Sequence, residues 1–203
     1  MLEPFNPGRA LRSPHVQTIL GSRGRGMWVK RRAAALLDQA ERIILQARDG
    51  VQLEAWISRQ PRPAPAVVLI HGWLGHADSS YVLSAAAELF RQGFSVVRLN
   101  LRDHGDTAHL NEEMFNSARI EEVVDAVRQV EVLMGGRVGV AGYSLGGNFA
   151  LRIARETGLP TLAVCPADVT DAFPTIATPL LALRTSKVIE SDVGPPRTPR
   201  SQA

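Results

Sequence analysis

With 203 residues, 45% hydrophobic and 21% charged, the chain has room for one domain with a sizeable core, and its composition excludes a disordered polymer. The net charge of +3 is small but unevenly placed: Arg9, Arg12, Arg23, Arg25, Lys30, Arg31 and Arg32 crowd the front with only Glu3 to offset them. No aromatic interleaving or nucleic-acid motif accompanies these cations, so we expect a solvated face, no nucleic-acid partner, and at most weak membrane-surface contact through this Arg-rich arm. Cys165 is the single cysteine, which excludes an internal disulfide; in the apolar run Leu159 to Pro166 it reads as a small core residue. The first residues lack the basic-then-apolar order of a signal peptide and no apolar run reaches bilayer length, which gives the expectation of a cytoplasmic protein with no transmembrane segment.

In chain order, residues 1–26 are rich in Gly, Pro and Arg and read as an irregular arm, and residues 28–40 predict a short helix. Glu41 to Gln46 and Val51 to Ile57 are β-like runs joined at Arg48-Asp49-Gly50, a hairpin signal. After the break at Pro61-Arg62-Pro63-Ala64-Pro65 a βα rhythm begins. Ala66 to Ile70 predicts a buried strand, 79–92 a helix, Ser95 to Leu99 a strand, and Ala118 to Met134 a helix with Ile120, Val123, Val124, Val127 and Val130 on one stripe. A strand at 137–141, a helix at 148–156 and a strand at Thr161 to Cys165 follow, with one more strand expected at Leu180 to Leu183. Continuous apolar strands alternating with helices predict an α/β fold, a mostly parallel sheet covered by helices on both faces. We expect a single core over 1–183 and a disordered tail over 184–203, where Pro195, Pro196 and Pro199 interrupt any apolar period.

Three loops stand where strands of such a sheet end, and ligands of open α/β sheets bind beyond those carboxyl ends. The most telling is Gly142-Tyr143-Ser144-Leu145-Gly146-Gly147, a G-x-S-x-G turn between a strand and a helix, the setting in which a serine becomes an exposed nucleophile. Upstream, His71-Gly72-Trp73-Leu74-Gly75 follows a buried strand directly, which is where an oxyanion-hole N–H is placed in such folds. Trp73 and Leu145 are therefore the expected backbone donors, and His71 is expected to hold the loop rather than react. The third loop, Asn100 to His109, carries two histidines and two aspartates. Its spacing lacks helical or cysteine support for a metal, so we read it as a hydrogen-bonded turn, with no metal site. No G-x-x-x-x-G-K-[ST] is present and no cofactor is expected. A serine hydroxyl needs a base, and in this arrangement the order is Ser, acid, His. All five histidines precede Ser144, which leaves His104, His71, water or a second polypeptide to take its proton.

The chain resembles the YheT-like branch of the α/β-hydrolase superfamily. The resemblance is carried by Pro14-His15-Val16-Gln17-Thr18, His71-Gly72-Trp73-Leu74-Gly75, Asn100-Leu101-Arg102-Asp103-His104-Gly105-Asp106 and Gly142-Tyr143-Ser144-Leu145-Gly146-Gly147-Asn148, and spans about residues 4–166. It implies a serine hydrolase of carboxylic esters, with short- or medium-chain acyl esters or lipids as small-molecule substrates, an acyl-enzyme, and no cofactor. Family members carry a cap, an acid loop and a late histidine after the strand that Thr161 to Cys165 matches. Here Ile176 to Leu183 is similar to the strand before the acid, yet Arg184-Thr185-Ser186-Lys187 lacks the aspartate, and Asp168, Asp171 and Asp192 are the substitutes at hand. The expectation is a core lacking its last strands and cap, cut short or shifted out of frame. The alternative is a catalytically inactive hydrolase core, at most a binding module, prone to self-association.

Overall fold

The computed structural model describes residues 25–166 together with Gly8, Ser13, His15 and Val16. The expected strand at Leu180 to Leu183, the tail over 184–203, and Asp168, Asp171 and Asp192 lie outside the described residues. Among the described residues six strands form one sheet in the order β1-β2-β4-β3-β5-β6. β1 (Ala40–Gln46) and β2 (Gln52–Ser58) form an antiparallel hairpin, and β2 lies antiparallel to β4 (Ser95–Leu99). β4, β3 (Ala66–Ile70), β5 (Val138–Tyr143) and β6 (Thr161–Val164) run parallel to one another. β3 is wholly apolar and β4 mostly so because both faces are covered, and the side-chain period of two sends alternate residues to opposite layers; in β4 the buried Arg98 is paired with Asp78. Val68, Ile70, Val97 and Leu99 pack with α4 (Glu121–Leu133) and α5 (Leu145–Thr157), whereas Leu69 and Val96 pack with α1 (Arg25–Arg32), α2 (Ala34–Leu37) and α3 (Ser80–Arg91).

The helix expected over 28–40 is two helices, broken at Ala33, and its first turn lies in what reads by composition as the irregular arm. Val29, Ala33 and Leu36 are all buried in the same layer, so their spacing follows one apolar stripe, while the chain must turn at Asp38-Gln39 to enter β1. α4 begins at Glu121 rather than near Ala118 because the preceding backbone is captured elsewhere: the Arg152 guanidinium donates to the carbonyls of Ser117 and Ala118 at 2.6 and 2.7 Å. Two acidic residues, Glu121 and Glu122, then sit in the first turn, where the helix dipole favours them. α5 follows Ser144 without a linker, three residues earlier than its apolar pattern suggests.

Long-range polar clamps hold the loops to this frame. Arg48 at the hairpin tip makes a bidentate pair with Asp125 of α4, both bonds 2.8 Å, and its N–H donates to the same carboxylate. Glu54 accepts from the Asn100 amide at 2.9 Å, and the Asn100 carbonyl oxygen accepts the Ala77 N–H at 2.6 Å, so the loop after β4 is tied to the loop after β3. Arg102 and Glu122 are both buried and meet at 2.5 Å; burial nonetheless pushes the Glu122 carboxyl up, against the pull of Arg102. His71, fully buried, makes a second link between the loop after β3 and the loop after β4. Leu101 N–H donates to its Nε2 at 3.1 Å, which makes Nε2 an acceptor and places the proton on Nδ1, where it is donated to the Gly72 carbonyl at 2.7 Å. Burial holds this imidazole neutral, with its pKa down to about 4.

Two outcomes follow from these clamps. Glu122→Ala removes the buried partner of Arg102 and leaves only the exposed Glu113 carboxylate, 3.7 Å away, to offset that guanidinium; it is expected to lower unfolding free energy in urea by about 3 kcal/mol, whereas Arg102→Met with Glu122→Leu is expected to cost clearly less. For His71 the folded pKa lies below the unfolded value, so its contribution is intact at neutral pH and is lost as pH falls through the unfolded value near 6.5 toward about 4. The stability difference between wild type and His71→Gln in urea melts is therefore expected to narrow by roughly 2–3 kcal/mol between about pH 7 and about pH 4.5.

Candidate active site

Ser144 joins the end of β5 to the start of α5 with φ 52° and ψ −114°, a conformation that a side chain rarely adopts. Such a residue stores roughly 1–3 kcal/mol of strain and persists only where its surroundings over-determine it. Here its N–H donates to the Val164 carbonyl at 2.9 Å, and its own carbonyl accepts the Asn148 N–H at 3.1 Å. The result is an exposed serine at the carboxyl end of the sheet. The glycines of the motif have a steric reason. A Cβ at Gly142 would overlap the carbonyl of Gly146, and a Cβ at Gly146 would overlap the carbonyls of Ile70 and His71. The end of β3 and the first turn of α5 thus meet backbone to backbone. Gly147 is less constrained, with Pro166 and the Gly142 carbonyl at 3.1 and 3.2 Å from an added Cβ.

The same crossing brings the turn after β3 against the nucleophile. A Cβ at Gly72 would stand 3.3 Å from the Ser144 Cβ and 3.2 Å from the Tyr143 carbonyl. The turn closes with Gly75 N–H donating to the Gly72 carbonyl at 3.0 Å, and Leu74 takes a positive φ of 56° within it while projecting into solvent. Trp73 is exposed, its ring edge-on to Phe115 and His104 at 5.8 and 6.2 Å between centroids. No backbone carbonyl takes the N–H of Trp73 or Leu145 among the described residues. Leu145 opens α5, so its N–H is one of those that a helix leaves without an internal acceptor, at the positive end of the helix dipole. The two N–H groups singled out from sequence therefore belong to backbone segments that converge beside Ser144.

The Asn100 to His109 loop is bound up in its own hydrogen bonds and those of its neighbours. His104 bonds through Nδ1 to the Arg102 carbonyl at 2.8 Å, Thr107 Oγ1 donates to the His104 carbonyl at 2.9 Å, and the Asp103 carboxylate accepts the Phe115 N–H. Among the described residues no group of three or more His, Cys, Asp or Glu side chains is arranged to hold a metal ion. Both nitrogens of His71 are committed, and neither His71 nor His104 is bonded to the Ser144 hydroxyl. Beside the turn opens a cleft of about 790 Å³, whose walls include Trp56, Trp73, Asp103, His104, Met114 and Phe115. Neither this cleft nor the approach of Tyr81 to the turn was visible in the sequence, because both depend on residues brought together over long range. Cys165 departs from expectation: it is exposed, because the chain leaves β6 there through a left-handed turn with φ 44°. No helix among the described residues is long and apolar enough to cross a membrane.

Residues 67–201 match the model of the alpha/beta hydrolase family. A Haemophilus influenzae esterase/lipase-like protein is 30% identical over 108 residues, covering 53% of this chain and 32% of its own length. Protein phosphatase methylesterase 1 of Rattus norvegicus is 32% identical over 111 residues, covering 53% of this chain and 28% of its own. The chain thus spans about a third of the length of the curated relatives it matches. Among solved structures, a Pyrococcus furiosus esterase superposes with a TM-score of 0.58 at 19% identity, covering 65% of this chain and 53% of that one, a likeness of fold. With the strand order and the turn at Ser144 already in place, the family match is decisive: the chain belongs to the alpha/beta hydrolase family.

Proposed function

We propose that the protein is a carboxylic-ester hydrolase of the YheT-like branch in which Ser144 is the nucleophile. The observation that carries this reading is the strained, exposed Ser144 set against the Gly72–Gly75 turn, with the N–H groups of Trp73 and Leu145 left without backbone acceptors. Ser144 Oγ attacks the acyl carbon of a small-molecule ester or lipid, the two N–H groups stabilise the oxyanion of the tetrahedral intermediate, and the alcohol leaves to give an acyl-enzyme that water hydrolyses. Each donor is worth about 3–4 kcal/mol of barrier in such sites, because it is fixed before charge develops. His71 cannot take the serine proton, since its Nε2 already accepts from Leu101 and its Nδ1 proton is given to Gly72. His104, water or a second polypeptide remains for that role. The Asp168, Asp171 and Asp192 alternatives for the acid lie outside the described residues. The reading includes a short- or medium-chain acyl group, no cofactor, and a cytoplasmic location.

A second reading, an inactive hydrolase core serving as a binding module, is favoured by one observation: no histidine is bonded to Ser144 among the described residues. Hydrolysis of p-nitrophenyl butyrate separates the two. We expect Ser144→Ala to abolish turnover above the uncatalysed rate; equal rates for the two proteins would reject catalysis by Ser144. Gly146→Ala should do the same by a different route, because its methyl cannot coexist with the Ile70 and His71 carbonyls. Its expected signature is loss of activity together with a Tm lowered by several degrees in calorimetry, whereas Ser144→Ala, which relieves a strained hydroxyl residue only of its oxygen, keeps Tm near wild type.

A further inference from the structure

We propose that Tyr81 is a positioning residue for the oxyanion turn, an inference that rests on Ser144 being the nucleophile. Tyr81 lies in the first turn of α3, and its hydroxyl oxygen accepts the Gly72 N–H at 2.8 Å. That oxygen fills the inside of the Gly72–Gly75 turn: a Cβ at Gly75 would overlap it, and a Cβ at Gly72 would stand 3.7 Å from it while standing 3.3 Å from the Ser144 Cβ. The phenol ring packs edge-on against Tyr143, the residue before the nucleophile, with centroids 5.1 Å apart and planes at 68°. One side chain from outside the sheet therefore touches both halves of the site.

The mechanical consequence follows from peptide planarity. The Trp73 N–H lies in one rigid plane with the Gly72 carbonyl. That carbonyl is held from its oxygen by the Gly75 and His71 hydrogen bonds, and the other side of Gly72 is held at its N–H by Tyr81. With both sides of Gly72 pinned, the direction of the Trp73 N–H is set before substrate arrives. Glycine at position 72 has two freely turning backbone dihedrals and no side chain to restrain them, so an external clamp is what sets this donor's aim. The Gly75 glycine has its own reason in the same contact, since only a residue without Cβ leaves room for the hydroxyl. Deleting the hydroxyl leaves the substrate-binding surfaces and the two hydrogen bonds to the Gly72 carbonyl in place but releases the clamp on the other side of Gly72, and the looser aim of the donor should damage the transition state more than the ground state.

Tyr81→Phe in the full chain tests this, because it keeps the ring on Tyr143 and removes only the acceptor. With p-nitrophenyl butyrate we expect kcat to fall on the order of ten- to a hundredfold with KM changed by less than about twofold. The Kd for butylboronic acid, which forms a tetrahedral adduct on serine, should weaken by the same factor as kcat/KM, with Tm kept within a few degrees of wild type. A kcat equal to wild type, a raised KM with unchanged kcat, or loss of folded protein with normal activity in the folded fraction would each overturn the positioning role. Wild-type turnover that does not depend on Ser144 would overturn the nucleophile reading and this inference together. Ser144-dependent turnover that Tyr81→Phe leaves intact would overturn this inference alone.

Discussion

The site depends on one backbone crossing. At Gly146 the first turn of α5 presses on the carbonyls of Ile70 and His71 so closely that a single methyl group has no place. Two glycines, Gly142 and Gly146, make that approach sterically allowed, and the approach in turn confines Ser144 to its positive φ between β5 and α5. Everything that makes the serine chemically interesting is a consequence of the crossing. The serine is exposed at the end of the sheet, the N–H of Leu145, without a backbone acceptor among the described residues, follows it in the chain, and the turn that begins at Gly72 is carried to within contact distance.

Polar clamps of long sequence separation then hold what the crossing brings together. His71 links the turn after β3 to the loop after β4, and Asn100 links the same two loops through Ala77 while resting on Glu54. Buried polar links of this kind are strong where every group is matched and costly where one is removed, which makes them specify one loop arrangement among many. The burial of His71 bears on chemistry as well as structure. Its neutral, fully bonded imidazole is the physical reason that the histidine just before the Gly72–Gly75 turn serves as a brace.

Much of this frame was legible in the residues themselves. β3 and β4 fall where mostly apolar runs between turn signals predicted them, Ala66–Ile70 and Ser95–Leu99, because a strand buried on both faces is predominantly apolar. The glycines of the Gly142 to Gly147 turn stand out in the sequence, whereas the steric demand on Gly146 comes from Ile70 and His71, far away in the chain. Helix starts were less legible. Ala118 to Ile120 has helical residues, but the carbonyls of Ser117 and Ala118 accept from Arg152, which comes from α5 and is invisible to a local pattern. Cys165 looked like core because its neighbours are apolar, yet a left-handed turn at the end of β6 exposes it. The Tyr81 contact and the cleft beside Trp73 arise from packing between separate loops, so no window of sequence contains them.

The central claim is that Ser144, and no other side chain, is the nucleophile. Intact-mass and peptide mapping after incubation with a fluorophosphonate measures it most directly, since the reagent phosphonylates an activated serine irreversibly. With Ser144 as the nucleophile, one adduct per chain is expected, located on Ser144, and none on the Ser144→Ala protein. An unmodified chain, or an adduct on any other residue, would contradict it.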